Sequence, residues 1–200
     1  MGPVIGVVNY GVAGNIFSIV KALEKIDARV KVVNSSGDFE KVDKIIIPGV
    51  GSFKDAMSEI HEDGIYDALV SNVLSKPTLG ICLGMQILSK IGYEFGETKG
   101  LGIFDAEVKN IYCSAPIPHM GFNKINVQKD SLLLRGVEDE SFYFMHSYEV
   151  VNYTDILSLT EYEGHQFVSA ISKGNIYGVQ FHPEKSREAG LEVFKNFLNV

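Results

Sequence analysis

Two short strings hold the residues best suited to chemistry. In Pro77-Thr-Leu-Gly-Ile-Cys-Leu-Gly-Met-Gln86, Cys82 stands between Gly80 and Gly84, after an apolar strand and before a helical pattern. A sharp strand-to-helix turn lifts a thiol out of a sheet, and small neighbours relieve crowding around strained backbone. The start of the helix favours the thiolate and points the Leu83 amide at an oxyanion formed beside the sulfur. The second string is Tyr177-Gly-Val-Gln-Phe-His-Pro-Glu184. A cysteine nucleophile needs a histidine to take its proton and later protonate a leaving amine. His182 ends a strand there, Pro183 stops ladder pairing, and Glu184 projects to the same side if the segment is extended. A carboxylate so placed fixes the imidazole tautomer and leaves the other nitrogen for the thiol.

The alternatives to these residues are weaker. Most lone cysteines are small buried apolar residues, and Cys113 in Asn110-Ile-Tyr-Cys-Ser reads that way. Of the five histidines, His61 and His165 lie in polar stretches, whereas His119 and His146 sit in distinctive strings. Either signature string alone is a modest signal; a cysteine elbow followed about a hundred residues later by His-Pro-Glu is a strong one.

The elements that must position these groups read as α/β winding. Strands are expected over 4–8, 30–33, 44–47 and 78–81. Ile16, Ile19, Val20, Leu23 and Ile26 recur at helical spacing, a second helix is expected over 53–74 with a break at Gly64, and a third over 84–91. The second half is β-rich: 124–127, 141–144 and 157–160 are short strands, and 166–171 and 176–181 flank the hairpin signal Lys173-Gly174-Asn175. A last amphipathic helix is expected over 187–198. The predicted architecture is one domain over 1–200, a mostly parallel central sheet flanked by helices and extended by antiparallel strands.

Composition excludes several classes. A formal charge of −7 with pI near 5.2 argues against a general nucleic-acid or anionic-membrane binder. Two cysteines without ligand spacing give neither a zinc site nor a disulfide framework. Neither a basic leader nor an apolar run of membrane-spanning length is present, so a reducing cytosol is the expected setting. Neither a Walker A string nor G-x-G-x-x-G is found, and no cofactor is expected.

Gly80-Ile-Cys-Leu-Gly-Met-Gln86 with Gln180-Phe-His-Pro-Glu184 resembles the class I, triad-type glutamine amidotransferases. Pro48-Gly-Val-Gly-Ser-Phe53, Pro118-His-Met-Gly-Phe-Asn123 and Tyr143-Phe-Met-His-Ser-Tyr148 resemble, within them, the glutaminase subunits of imidazole glycerol phosphate synthases. The match runs in order from Asn9 to Lys185. It departs at Asn9-Tyr-Gly-Val-Ala-Gly-Asn15, where the family reads D-Y-G-x-G-N, and at Phe122, where the family has tryptophan.

The resemblance implies a nucleophile at Cys82, with His182 as base and Glu184 as its orienter. It implies oxyanion donors at the Leu83 and Val50 amides, the latter on a loop whose flanking glycines make peptide rotation easy. L-Glutamine would be held by Gln86, Glu94, Gly49, Gly51 and the backbone of Ser147 and Tyr148, with Glu94 on the α-ammonium. Asn15, Met120 and Lys185 would meet a (β/α)8-barrel synthase in a heterodimer, to which the ammonia passes. Three other readings stay open: a related glutaminase serving surface-sugar amidation, a different cysteine hydrolase such as a peptidase, and a non-catalytic subunit on the same fold.

Overall fold

The computed structural model describes residues 2–11 and 13–200, with the side chains of 13–15 outside that description. In chain order the elements are β1 Val4–Val8, α1 Ala13–Glu24, β2 Arg29–Val33, β3 Lys44–Ile47, α2 Phe53–Glu62, α3 Tyr66–Ser75, β4 Thr78–Ile81, α4 Leu83–Ile87, β5 Ser89–Gly92, β6 Thr98–Lys99, β7 Phe104–Asn110, β8 His119–Lys124, β9 Asn126–Val127, β10 Ser141–His146, β11 Tyr148–Val151, β12 Ile156–Tyr162, β13 His165–Lys173, β14 Ile176–Val179 and α5 Arg187–Leu198.

An eight-stranded sheet runs β2-β1-β3-β4-β14-β13-β12-β9. Its strands are parallel from β2 through β14, and antiparallel from β14 outward to β9. The parallel strands are near-continuous β-branched runs because helices cover both of their faces. Alternation sorts the side chains. Ile5, Val7, Ile46, Leu79 and Ile81 join α1 and α5 through Ile19, Leu23, Val193 and Phe194. Val8, Ile45 and Ile47 face the other way, onto Phe53, Met57 and Ile60 of α2 and Leu69 and Val73 of α3. Each such side chain, fully buried, contributes about 1.5–3 kcal/mol.

One expectation is corrected. The helix read over 84–91 is only Leu83–Ile87, and Ser89–Gly92 is a strand of a second, four-stranded sheet ordered β11-β7-β5-β6. Its apolar residues pack against α2 rather than lengthening a helix: Gly92 lies so close to the Phe53 ring that a Cβ there would meet it at 2.6 Å. The break expected at Gly64 within the helical stretch 53–74 divides α2 from α3, with Gly64 at φ +64 between them. The hairpin at Gly174-Asn175 forms between β13 and β14, with Gly174 at φ +59. None of the described helices is long and apolar enough to cross a membrane.

Lys44 fastens the end of the chain to the sheet. Its Nζ donates to the carbonyls of Phe197, Leu198 and Val200 at 3.0, 2.9 and 2.6 Å, placing a cation at the C-terminus of α5, where the helix dipole favours one. Replacing it by methionine keeps the stem but strands those acceptors. Lys44→Met is expected to cost about 2 kcal/mol in urea unfolding, with α5 amides exchanging faster than those of β3 and β4.

Candidate active site

The site grows from one backbone turn. Between β4 and α4, Cys82 adopts φ 53 and ψ −110, a region that a non-glycine residue enters only when its surroundings hold it there. They do: its N–H donates to Val179 O at 2.7 Å, and its carbonyl accepts from Gln86 N at 3.1 Å. The tight turn brings α4 hard against the ends of neighbouring strands. A Cβ on Gly84 would lie 1.9 Å from the Ile47 carbonyl oxygen, so only glycine fits there. Leu83, as the first residue of α4, has an amide without an intrahelical acceptor.

Cys82 is 6% exposed and opens onto a cavity of about 180 Å³. The lining includes Val50, Gly51, Leu83, Gln86, Glu94, Ser147 and Tyr148, which are residues the sequence proposed, together with Pro118, Met145 and His146. Gly49 packs on α4, where a Cβ would sit 2.5 Å from both Gly84 N and Leu83 Cβ, so packing alone requires a glycine there. Gly51, at φ +105, has open space around it.

His182 and Glu184 stand behind the cysteine, away from the cavity. Both side chains have no exposure, and His182 Nδ1 lies 2.8 Å from Glu184 Oε1. The route to this pairing differs from the extended segment expected. β14 stops at Val179, and Pro183–Lys185 form a single 3-10 turn, closed by Lys185 N to His182 O at 3.0 Å. Pro183 fixes φ and starts that turn, which folds Glu184 back onto the imidazole. His182 Nε2 and Glu184 Oε2 make no hydrogen bond of ordinary geometry among the described residues. Burial by itself would lower the His182 pKa. The Cys82 sulfur, by charge and hydrogen bonding, and then Glu184 outweigh it and push the value up to about 10. Such a histidine is an imidazolium at neutral pH.

The polar groups in front of the sulfur are already partly committed. Gln86 Nε2 donates to Tyr148 O and to Gln180 Oε1, both at 3.0 Å, which leaves its Oε1 for a ligand. Ser147 O accepts from Ile111 N, and Tyr148 O from Gln86. What these two residues offer the cavity is therefore not their carbonyls. Glu94 Oε2 accepts from Phe53 N at 2.7 Å. Burial raises the Glu94 carboxyl above the usual range; the Phe53 hydrogen bond opposes this and Asp55 adds to it. A cationic ligand group would reverse that shift. Glu94→Gln is expected to raise KM for an amino-acid substrate about tenfold (~1.4 kcal/mol) with little change in kcat. In the wild type KM rises at low pH, as Glu94 takes up its proton, and steady-state kinetics against pH reads both effects.

Sequence reasoning missed three contributors. Gln180 stands in the His-Pro-Glu string without a role of its own there, yet its Nε2 donates to Cys82 Sγ at 3.5 Å. The phenol of Tyr10, 1% exposed, donates to the Pro48 carbonyl next to the Gly49-Val50 peptide. Burial, then the charges of Cys82 and Glu59, raise its pKa far above the ordinary tyrosine value. His146 lines the cavity. The signal for all three was adjacency to a motif, but the partners lie tens of residues away in sequence.

The residues expected at a partner surface are distributed differently. Met120 is 58% exposed on β8, and Lys185 is exposed with Nζ 5.7 Å from the Tyr143 ring centre. Phe122, 44% exposed, lies under the Arg187 guanidinium at 4.9 Å. The Asn15 side chain, with those of residues 13 and 14, falls outside the described residues.

Comparison with known proteins agrees with this geometry in kind. The family model described as glutamine amidotransferase class-I matches residues 7–200. The imidazole glycerol phosphate synthase subunit HisH 1 of Campylobacter jejuni (strain RM1221) is 42% identical over 193 residues, 94% of this chain and 96% of that protein. The chloroplastic imidazole glycerol phosphate synthase hisHF of Arabidopsis thaliana is 41% identical over 202 residues, which are 98% of this chain and 34% of that protein. Among solved structures, PurLQS from Thermotoga maritima superposes with a TM-score of 0.79 at 19% identity, over 100% of this chain and 99% of that one.

Proposed function

Because the chain belongs to the class-I glutamine amidotransferase family, within its HisH branch, we propose that it hydrolyses L-glutamine and passes the ammonia to a separate (β/α)8-barrel synthase. The observation that carries the reading is the buried His182–Glu184 pair standing behind a cysteine held at φ 53. The Cys82 thiolate attacks the side-chain amide carbon, and the tetrahedral oxyanion is met by the amides of Leu83 and Val50. His182 gives its proton to the departing nitrogen, the C–N bond breaks, and ammonia leaves a γ-glutamyl thioester. His182 then takes a proton from water as the hydroxyl attacks the thioester, and glutamate and the thiolate are released. Glu184 keeps the imidazole in the required tautomer and supports its cationic form. Gly51 and Gln86 line the substrate cavity, Glu94 takes the α-ammonium, and the Ser147–Tyr148 segment closes the far side.

Ammonia released into neutral water becomes mostly ammonium, which is no nucleophile, so a protected route to an acceptor has a chemical purpose. In this reading the acceptor is a phosphorylated aminoimidazole-carboxamide ribulosyl intermediate on the barrel partner. The products are imidazole glycerol phosphate, in histidine biosynthesis, and an aminoimidazole carboxamide ribonucleotide. The plant relative hisHF, about three times as long as this chain, suits a glutaminase that works beside a second unit. Met120 and Lys185, with Asn15, are assigned to that interface, and a reducing compartment keeps Cys82 free. The test supplies amide-labelled glutamine to the loaded complex in excess unlabelled ammonium. Label retained in the imidazole product supports transfer between the two sites; label diluted to the bulk ratio contradicts it.

A further inference from the structure

His119 and His146 lie outside the Cys82–His182–Glu184 set, yet both are buried, at 0% and 6% exposure, and their rings meet. Their hydrogen bonds permit a count of protons. Asn123 Nδ2 donates to the Glu161 carbonyl at 3.1 Å, which turns Asn123 Oδ1 toward His119 Nε2 at 2.9 Å. An amide oxygen only accepts, so His119 Nε2 carries a hydrogen. At the other end His146 Nδ1 lies 2.9 Å from the Tyr148 carbonyl, which also only accepts, so that nitrogen carries a hydrogen too. The inner nitrogens, His119 Nδ1 and His146 Nε2, face each other at 3.2 Å. Two neutral imidazoles have one N–H each, and both are spent on the outer partners. Without a third proton the inner contact would be two lone pairs, buried where no solvent relieves them.

From this count we infer that His119 and His146 share one added proton, and that the pair is a positioning device for the Cys82 sulfur. The link to the sulfur is continuous. The Tyr148 carbonyl that takes the His146 hydrogen also takes one from Gln86 Nε2 at 3.0 Å. Gln86 Nε2 donates its second hydrogen to Gln180 Oε1 at 3.0 Å, and Gln180 Nε2 donates to Cys82 Sγ at 3.5 Å. With the inner proton in place, His146 is held from both ends and the Tyr148 carbonyl is fixed. The two glutamine amides are then oriented so that an N–H, not an oxygen, meets the sulfur.

The surroundings set the direction of its titration. Phe144 stacks on the His119 ring, Tyr162 lies tilted against it and Phe167 meets it edge-on, and the ionisable side chains facing the pair among the described residues are Tyr162, His165 and His182. His165 is itself paired with Glu149 at 2.9 Å, so no free anion among the described residues supports the charge. Burial first, opposed by Asn123, lowers the His119 pKa. Burial, opposed by the Tyr148 carbonyl, lowers that of His146 to about 3, with the other histidines adding to the effect. The proton is thus present on the acid side and is lost as pH rises, and its loss releases the inner contact.

The activity arm of the test rests on the glutaminase reading; the proton count does not. Long-range ¹⁵N–¹H spectra of the labelled full chain report each ring nitrogen directly. The expected result is hydrogen on His119 Nε2 and His146 Nδ1 throughout. A third, shared proton should be lost from both rings with a single midpoint as pH rises. Inner nitrogens that stay bare throughout the acid range of the folded protein, or rings that titrate independently, would overturn it. Asn123→Asp places an anion against His119 Nε2 and is expected to move that midpoint up by about one on the pH scale. With a loaded barrel partner, the corresponding limb of kcat should move with it while KM does not. A midpoint that moves without the kcat limb would overturn the positioning role, which a merely structural pair would also fail to show. Wild type without any glutamine hydrolysis would instead remove the glutaminase reading and leave the proton count to the spectra.

Discussion

Cys82→Ala abolishes glutamine hydrolysis, with kcat falling by about ten-thousandfold to a millionfold. The size follows from losing covalent catalysis outright: no other residue of the elbow carries a nucleophile, and water would have to attack an unactivated amide. Fold and affinity should largely survive, since the backbone turn is held by the Val179 carbonyl and the Gln86 amide rather than by sulfur. Alanine can enter the φ 53 region no more easily than cysteine, so any stability change is small. Stopped assays of glutamate formation, with glutamine binding followed by calorimetry, separate the two effects. The barrel partner should still accept ammonia supplied as a concentrated ammonium salt.

His182→Asn removes both proton transfers and is expected to cost nearly as much activity, while Glu184→Gln costs about a hundred- to ten-thousandfold because the base survives in poor orientation. His182→Asn also carries a stability penalty that the cysteine variant lacks. Glu184 has no exposure and its Oε2 already lacks a partner, so losing the imidazole leaves a buried carboxylate unpaired, at about 3–5 kcal/mol. The sign of the pH dependence follows from the histidine. Its pKa is raised from 6.5 to about 10. The stability it contributes is fully present below pH 6.5 and is lost as pH rises through about 10. Urea unfolding across that window should show wild type converging on His182→Asn at the alkaline end.

The sequence carried the parallel half of the fold well. β1, β3, β4 and α5 have the bounds that apolar runs and helical spacing indicate, because each is a local pattern buried by its own neighbours. The four-stranded sheet was not legible. β7 alternates buried and exposed residues, but β5 hides inside an apolar stretch whose period is ambiguous over so few residues. The cysteine elbow could be read because glycine spacing and strand-to-helix switching are local. Its support could not: Gln180 reaches Gln86 across 94 positions and Tyr10 reaches Pro48 across 38. The His182–Glu184 pairing is reached by a proline-started turn and not by the extended strand that the two-residue spacing suggests.

The most direct test of the central claim is to trap the acyl-enzyme. The loaded complex is mixed with glutamine, quenched in acid within a turnover, and digested for peptide mapping. A γ-glutamyl thioester on the peptide containing Cys82, absent from Cys82→Ala and gone after longer incubation, is the result predicted. Label on Cys113, or wild-type turnover by Cys82→Ala with no acylated peptide, would contradict it.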